Sequence, residues 1–347
     1  MTRKVYASLD VAKFIMALMI LVGHTANEWA HTTGIWHYIL SCDFTVPTFF
    51  AISGFLFFSK ILQMEKYEER KEYYKKWSVR IGKMYLVWTL IYFVFILINW
   101  IRNGATVTQV LLWLMRCITF SSYATIWFLP SLWVGVTICW LLVEKVKNIK
   151  TVYVVVAVLW LIGVLMDPYR YLVVRGQAAQ SIYDGYMFVF KTFRNGLFYA
   201  SAYIMLGYIV AKQGKFPNLI KSAIGVIVFQ LLFLAEAIFM KKMNPSSCTD
   251  MAIMMLPSVY FILVLLLNID LKSSALTALL RKYSMLIFLG QRLFLTAIPS
   301  VLPATFSSTI QALPQIEIYL IFSLATIVFA VLIELLSRRF RFLNYLM

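Results

Sequence analysis

Ten apolar stretches, each near the length that crosses a bilayer, follow one another through this chain with mostly short polar connections between them. They fall at 9–27, 44–60, 80–100, 124–143, 151–166, 195–211, 220–240, 251–269, 283–303 and 316–336. About 20 mainly apolar residues cover the hydrocarbon thickness as a helix. Within hydrocarbon every backbone N–H and C=O must find its partner inside the protein, and a helix does this within one segment. The chain is 62% hydrophobic and 14% charged, with a mean hydropathy of +0.80. A soluble chain of this length stands near about 45–50% apolar and about 25% charged. The expected fold is therefore an all-α integral membrane protein of about ten transmembrane helices. It forms one unit over residues 1–347, with no separate soluble domain.

The net charge of +17 does not point to nucleic acid, because the cations are spread over short connections. If the N-terminus lies inside, the even-numbered connections and the C-terminus also face the cytoplasm. Those segments then hold about 22 of the 32 lysines and arginines, as the positive-inside rule requires. Outer connections hold about eight, and Lys13 and Arg292 remain inside spans. Arg3 and Lys4 ahead of the first apolar run resemble the opening of a signal peptide. The run has no small-x-small cleavage site and carries a lysine, so it is expected to be retained. Cys42, Cys117, Cys139 and Cys248 show neither disulfide nor metal spacing.

Two connections are long. Residues 60–80 mix acids, bases and aromatics and are expected to form an interfacial helix. Residues 167–194 are tyrosine-rich, with Asp184-Gly185 as a turn signal, and suit a re-entrant or lid segment.

The polar residues of the first span make one stripe. Lys13 and His24 are eleven residues apart, almost three full helical turns, so they face the same way about 16 Å apart along the axis. Ionisable groups within a span suggest function by default. Glu28 and His31 continue the face beyond His24. A carboxylate one turn from an imidazole suits a general base, while an interfacial histidine bonded to backbone or water is the plainer alternative. A metal site built from His24, His31, His37 and Asp43 lacks a compact ligand motif, and no metal is expected. Asp10 and Lys13 are either a local ion pair that permits burial or an anion contact. Arg292, with no acid near it in sequence, needs a carboxylate from another helix or an anionic ligand. Arg194 and Asn195 open the sixth span, where an arginine snorkels readily. Trp127 is an aromatic-belt or cavity residue, and Ser53-Gly54 a small-residue helix contact or a cavity lining. Arg80 and Lys83 either face headgroups or bind phosphates.

Several of these pieces together resemble the acyltransferase-3 family of bacterial membrane-bound O-acyltransferases. That family opens with Leu-Asp-x-x-Arg and a histidine eleven residues later, which here reads Leu9-Asp10-Val11-Ala12-Lys13 and His24. Its Phe-Phe-x-x-Ser-Gly-Phe pattern is Phe49 to Phe55 with Ser53-Gly54, a basic element is Arg80 to Lys83, and Trp-Phe-Leu is Trp127 to Leu129. Lysine replaces the family arginine at position 13, which keeps the charge but loses the planar fork. The resemblance implies transfer of an acyl group, most simply acetyl, from cytosolic acyl-CoA to a hydroxyl of a cell-surface polysaccharide or related envelope acceptor. It also implies a bacterial cell membrane and no bound cofactor beyond that co-substrate. Under it, His24, Glu28 and Asp10 are the catalytic residues, with His24 as general base oriented by Glu28 and Asp10 beside Lys13. Lys13, Arg80 and Lys83 hold the donor's anionic end, while Ser53, Trp127, Arg194, Asn195 and Arg292 line the cavity. A transporter of a small polar solute, or a non-catalytic partner in an envelope assembly complex, would use the same residues otherwise. Oligomeric state is not legible.

Overall fold

The computed structural model describes residues 6–29, 43–244 and 249–347, and the regular structure among them is helical. In chain order the main helices begin with α1 (Ala7–Glu28), α2 (Thr45–Ile61), α3 (Tyr67–Asn103) and α4 (Val107–Thr119). A 3-10 turn, Thr125–Trp127, leads into α5 (Phe128–Lys145), and α6 (Ile149–Met166) follows. The outer stretch holds α7 (Gln177–Phe190), and a π-helical turn, Gly196–Ala200, leads into α8 (Ser201–Gln213). Then come α9 (Leu219–Met243), α10 (Met255–Asn268), α11 (Ala275–Arg292), α12 (Ala304–Gln311) and α13 (Gln315–Arg339). A π-helical turn, Leu293–Ala297, and a 3-10 turn, Pro299–Val301, extend α11.

Each of the ten apolar stretches is helical. Among the described residues, seven helices are long and apolar enough to cross a membrane, while α2 and α10 are shorter apolar helices. The surface fits a lipid surround. On α3 the residues Ile81, Met84, Trp88 and Tyr92 recur at helical spacing and are buried, whereas Leu86, Leu90, Val94 and Ile101 are exposed on the other face. On α13, Leu320, Leu324, Val328 and Leu332 likewise form an exposed apolar row. A soluble fold does not leave such continuous apolar rows in water.

Three expectations need revision. The charged segment expected as a separate interfacial helix is helical but continuous with the third span, so α3 runs from Tyr67 without a break. Glu68 and Glu69 complement the dipole of its first turn, and Arg70 makes a two-pronged pair with Glu144 of α5 at 2.7 and 2.9 Å. That pair ties the charged end of α3 to the end of α5. The expected turn at Asp184-Gly185 lies inside α7, where Asp184 accepts from Gln180 one turn earlier at 2.8 Å. Helix α4 was not expected. Thr106 and Gln109 form a capping box at its start, a legible Thr-x-x-Gln signal.

The densest helix pair is α2 against α8. Gly54 of α2 faces the backbone of Ile204, and Gly207 of α8 faces that of Ala51, so any added methyl would strike main chain. Small residues at a crossing let two membrane helices approach closely. Stacked rings of Phe50 and Phe128 (4.5 Å) and of Phe49 and Phe288 (5.3 Å) tie α2 to α5 and α11.

Two glycine substitutions should therefore act in opposite senses. Gly54→Ala overpacks the α2–α8 crossing and is expected to cost about 1–3 kcal/mol. Gly185→Ala meets open space within a helix and should gain about 0.5–1 kcal/mol. Thermal melts in detergent micelles check both signs.

Candidate active site

Helices α1 and α11 run parallel, and the polar stripe of α1 meets a matching stripe on α11. Arg281 and Arg292 of α11 are eleven residues apart, the same three turns that separate Lys13 from His24. Both helices are continuous over these positions, so each stripe spans about 16 Å.

At one end Asp10, nearly fully buried, takes Lys13 Nζ at 3.0 Å and an Arg281 guanidinium nitrogen at 3.6 Å. Arg80 at the foot of the third span lies within electrostatic range of Lys13. Two cations, Lys13 and Arg281, thus share the Asp10 carboxylate, with Arg80 near Lys13. Lys83, from the same basic element, sits 5.2 Å above the ring of Tyr345 instead.

At the other end Arg292 lies between His24 and Glu28. One of its terminal nitrogens is 3.1 Å from His24 Nδ1, and the other pairs with the Glu28 carboxylate. A guanidinium has donors only. His24 Nδ1 therefore accepts, and the neutral imidazole carries its hydrogen on Nε2. The sequence placed Glu28 directly against His24, but its carboxylate reaches the imidazole through Arg292. The Arg292 Nε–H is buried and has no acceptor among the described residues. An unsatisfied buried donor costs about 1–3 kcal/mol, which a ligand oxygen would recover.

The chain after Arg292 departs from α-helix for one π-helical turn, a feature that recurs at functional sites. The Leu295 carbonyl in this turn accepts the Trp29 indole N–H at 2.9 Å, and Thr296 Oγ1 donates to the Arg292 carbonyl at 2.9 Å. These bonds fix the end of α1 against the end of α11. Arg194 also lies within electrostatic range of His24, with its guanidinium 4.9 Å from the centre of the buried Trp127 ring.

The structure brings His24, Glu28, Arg292, Arg194 and Trp127 to one end of the helix pair and Asp10, Lys13 and Arg80 to the other. Ser53 is half-buried in α2 beside the α2–α8 crossing. The Asn195 side chain is occupied in capping. Its Oδ1 accepts from the N–H groups of Leu197 and Phe198, and its Nδ2 donates to Tyr186 Oη and the Thr192 carbonyl. Burial pushes the Tyr186 phenol up to about 12, so it stays a neutral hydroxyl and serves that amide as acceptor. Arg281 was missed in the sequence, where it stands among other cations in a connection. Its partner Asp10 lies at the far end of the chain, so no local spacing reveals the pair. His31 and His37 lie outside the described residues. Among the described residues no group of three or more His, Cys, Asp or Glu is placed to hold a metal.

The family model described as "Acyltransferase domain" matches residues 6–335. An amino-acid racemase of Enterococcus faecalis is 26% identical over 268 residues, covering 76% of this chain and 36% of that protein. A serine/alanine racemase of Enterococcus gallinarum is 25% identical over 227 residues, covering 64% of this chain and 31% of its own length. A second amino-acid racemase of Enterococcus faecalis is 23% identical over 266 residues, 75% of this chain and 37% of the relative. The chain thus spans about a third of the length of these relatives. No solved structure matches.

The Arg292–Glu28 contact should show as energetic coupling. In a double-mutant cycle of Glu28→Gln and Arg292→Gln, the interaction term is expected at about 0.5–3 kcal/mol. It is read from unfolding in mixed micelles, and strict additivity would mean that the pair does not form.

Proposed function

Since the chain belongs to the acyltransferase-3 family, we propose that it transfers an acyl group, acetyl first of all, from acyl-CoA to a hydroxyl of an envelope carbohydrate. In this reading the chain crosses a bacterial cell membrane ten times with both termini in the cytoplasm. The Asp10 end then faces the donor and the His24 end faces the acceptor. The observation that carries the reading is the two-ended stripe between α1 and α11, cationic at one end and holding an imidazole at the other. The pantetheine arm of coenzyme A is long and thin enough to bridge about 16 Å. Lys13 and Arg281, with Arg80 near them, would hold the anionic nucleotide end. The thioester would then lie at His24.

Chemistry there requires a base for the acceptor hydroxyl and a positive group for the oxyanion. Arg292 turns from His24 toward the thioester carbonyl oxygen, and this single movement releases the Nδ1 lone pair. The hydroxyl oxygen attacks the carbonyl carbon while its proton passes to His24 Nδ1. The tetrahedral intermediate, its oxyanion held by Arg292, collapses with cleavage of the C–S bond. The proton then passes from the imidazolium to the leaving thiolate, so charge and protons balance. Glu28 offsets the Arg292 charge, which lets an imidazolium form beside a guanidinium.

The relatives' names speak of amino-acid racemisation, but the matched stretches are about a third of those proteins. The acyltransferase family model, by contrast, covers nearly all of this chain. Acyl transfer is the activity that fits the shared part. Transport of a small polar solute is the competing reading, and dependence on acyl-CoA separates the two.

Membranes carrying the protein, given radiolabelled acetyl-CoA and an envelope-glycan extract, should pass label to alkali-labile ester. His24→Ala should abolish this, and Arg292→Lys should lower kcat about 10²–10³-fold. Lys13→Gln should raise KM for acyl-CoA and leave the acceptor KM unchanged. Equal transfer by wild type and His24→Ala would remove His24 from the mechanism. Solute flux without any acyl transfer would replace this reading with transport.

A further inference from the structure

A second site lies beside the His24 end of the helix pair. Where α3 ends and α4 begins, the chain walls a cleft of about 680 Å³. Trp100, Asn103, Trp113, Arg116, Tyr123 and Lys191 are among its lining, and among the described residues no carboxylate is.

The cleft is tied to the candidate active site. Asn99 of α3 donates to Ser300 Oγ at 2.8 Å and Arg102 to the Val301 carbonyl, so the end of α3 rests on the extension of α11 beyond Arg292. Tyr123 is stacked on the buried Tyr92 at 4.3 Å, and its hydroxyl meets Thr296 Oγ1 at 3.0 Å. Thr296 in turn donates to the Arg292 carbonyl. Tyr123 is thus a wall of the cleft only two bonded contacts from the backbone of Arg292.

The lining has a definite chemistry. Trp100 and Trp113 meet edge to face at 5.6 Å and 89°, and the Trp113 N–H donates to the Ser122 carbonyl at 3.0 Å, which holds that indole in place. Arg116 Nε is buried and has no hydrogen-bond partner among the described residues. Neither Arg116 nor Lys191 makes an ion pair among the described residues. Lys191 is exposed and is the described non-glycine residue with positive φ, at 62°. It caps α7 in a left-handed conformation that glycine or asparagine adopts at less cost. A lysine there is not what the cap prefers, and the residue lines the cleft.

The two indoles match the C–H face of a sugar ring, an amide matches ring hydroxyls, and two cations without an ion pair among the described residues match an acidic substituent. We infer that this cleft binds an anionic carbohydrate, a sugar ring bearing a carboxylate or phosphate, and that it is the acceptor site. The word acceptor rests on the acyl-transfer reading, whereas the binding does not.

The test uses the full chain in phosphatidylcholine nanodiscs, titrated with a glucuronic-acid disaccharide and with neutral cellobiose. Wild type should bind the acidic sugar more tightly, and Arg116→Gln should weaken it roughly 10- to 100-fold, with Arg116→Lys recovering part. Lys191→Gly should weaken binding while leaving the melting temperature equal or higher, which separates ligand contact from folding. Equal affinity for both sugars, or variants that bind as wild type does, would overturn the proposal. So would phosphatidylglycerol that excludes the disaccharide from wild type and is itself released by Arg116→Gln, because the cleft would then be a lipid-headgroup site. Charge-dependent sugar binding without any acyl-CoA turnover would sink acyl transfer and leave the cleft standing. Turnover of acyl-CoA with no sugar binding would do the reverse.

Discussion

A cation placed between two membrane helices dictates much of this architecture. Arg292 cannot be released into lipid without a large penalty, so α11 must keep it against partners, and the partners are both on α1. His24 and Glu28 are one turn apart, and the terminal nitrogens of the guanidinium reach one each. This fixes the register of α1 on α11 at that end. Asp10 and Arg281 fix it at the other. Two polar contacts about three turns apart leave a parallel helix pair no freedom to slide. The π-helical turn after Arg292 then brings the Leu295 carbonyl to the Trp29 indole, so the pair is closed where the chemistry would occur.

The helices were legible because lipid imposes one rule on every span: apolar length with internally bonded backbone. The rule sees hydropathy and little else, which explains its errors. It stopped the third span at Arg80 because the charges begin there, whereas helical pairing and the Arg70–Glu144 tie carry α3 on to Tyr67. It read Asp184-Gly185 as a turn, although a glycine facing open space is tolerated within α7. Within the site, the eleven-residue spacing of Lys13 and His24 and the need of Arg292 for a partner were visible from residues alone. That Glu28 meets Arg292, and not His24, was not visible. An i, i+4 spacing states which groups can touch on one helix and is silent about a guanidinium arriving from another.

The two ends of the stripe differ in a way that suits a directional task. At the Asp10 end Lys13 and Arg281 share one carboxylate, and Arg281 is partly exposed. At the His24 end the Arg292 guanidinium is matched by one carboxylate and one imidazole, and its buried Nε–H has no acceptor among the described residues. In the acyl-transfer reading the first arrangement would hold a highly charged group, and the second would meet one oxygen. Electrostatics of this kind bind at one end and act on charge developing at the other.

The lysine at position 13 is the point where this chain departs from the pattern it otherwise resembles. An ammonium cannot grip a phosphate with two parallel hydrogen bonds as a guanidinium does. The structure supplies a guanidinium on the neighbouring helix instead. Arg281 reaches the same Asp10 carboxylate that Lys13 does, so the planar fork is present at that end though it comes from α11. In the acyl-transfer reading the donor's phosphates would meet Arg281 as the geometric contact and Lys13 as a point charge. The departure then moves the fork from one helix of the pair to the other, and the cationic end keeps both kinds of donor.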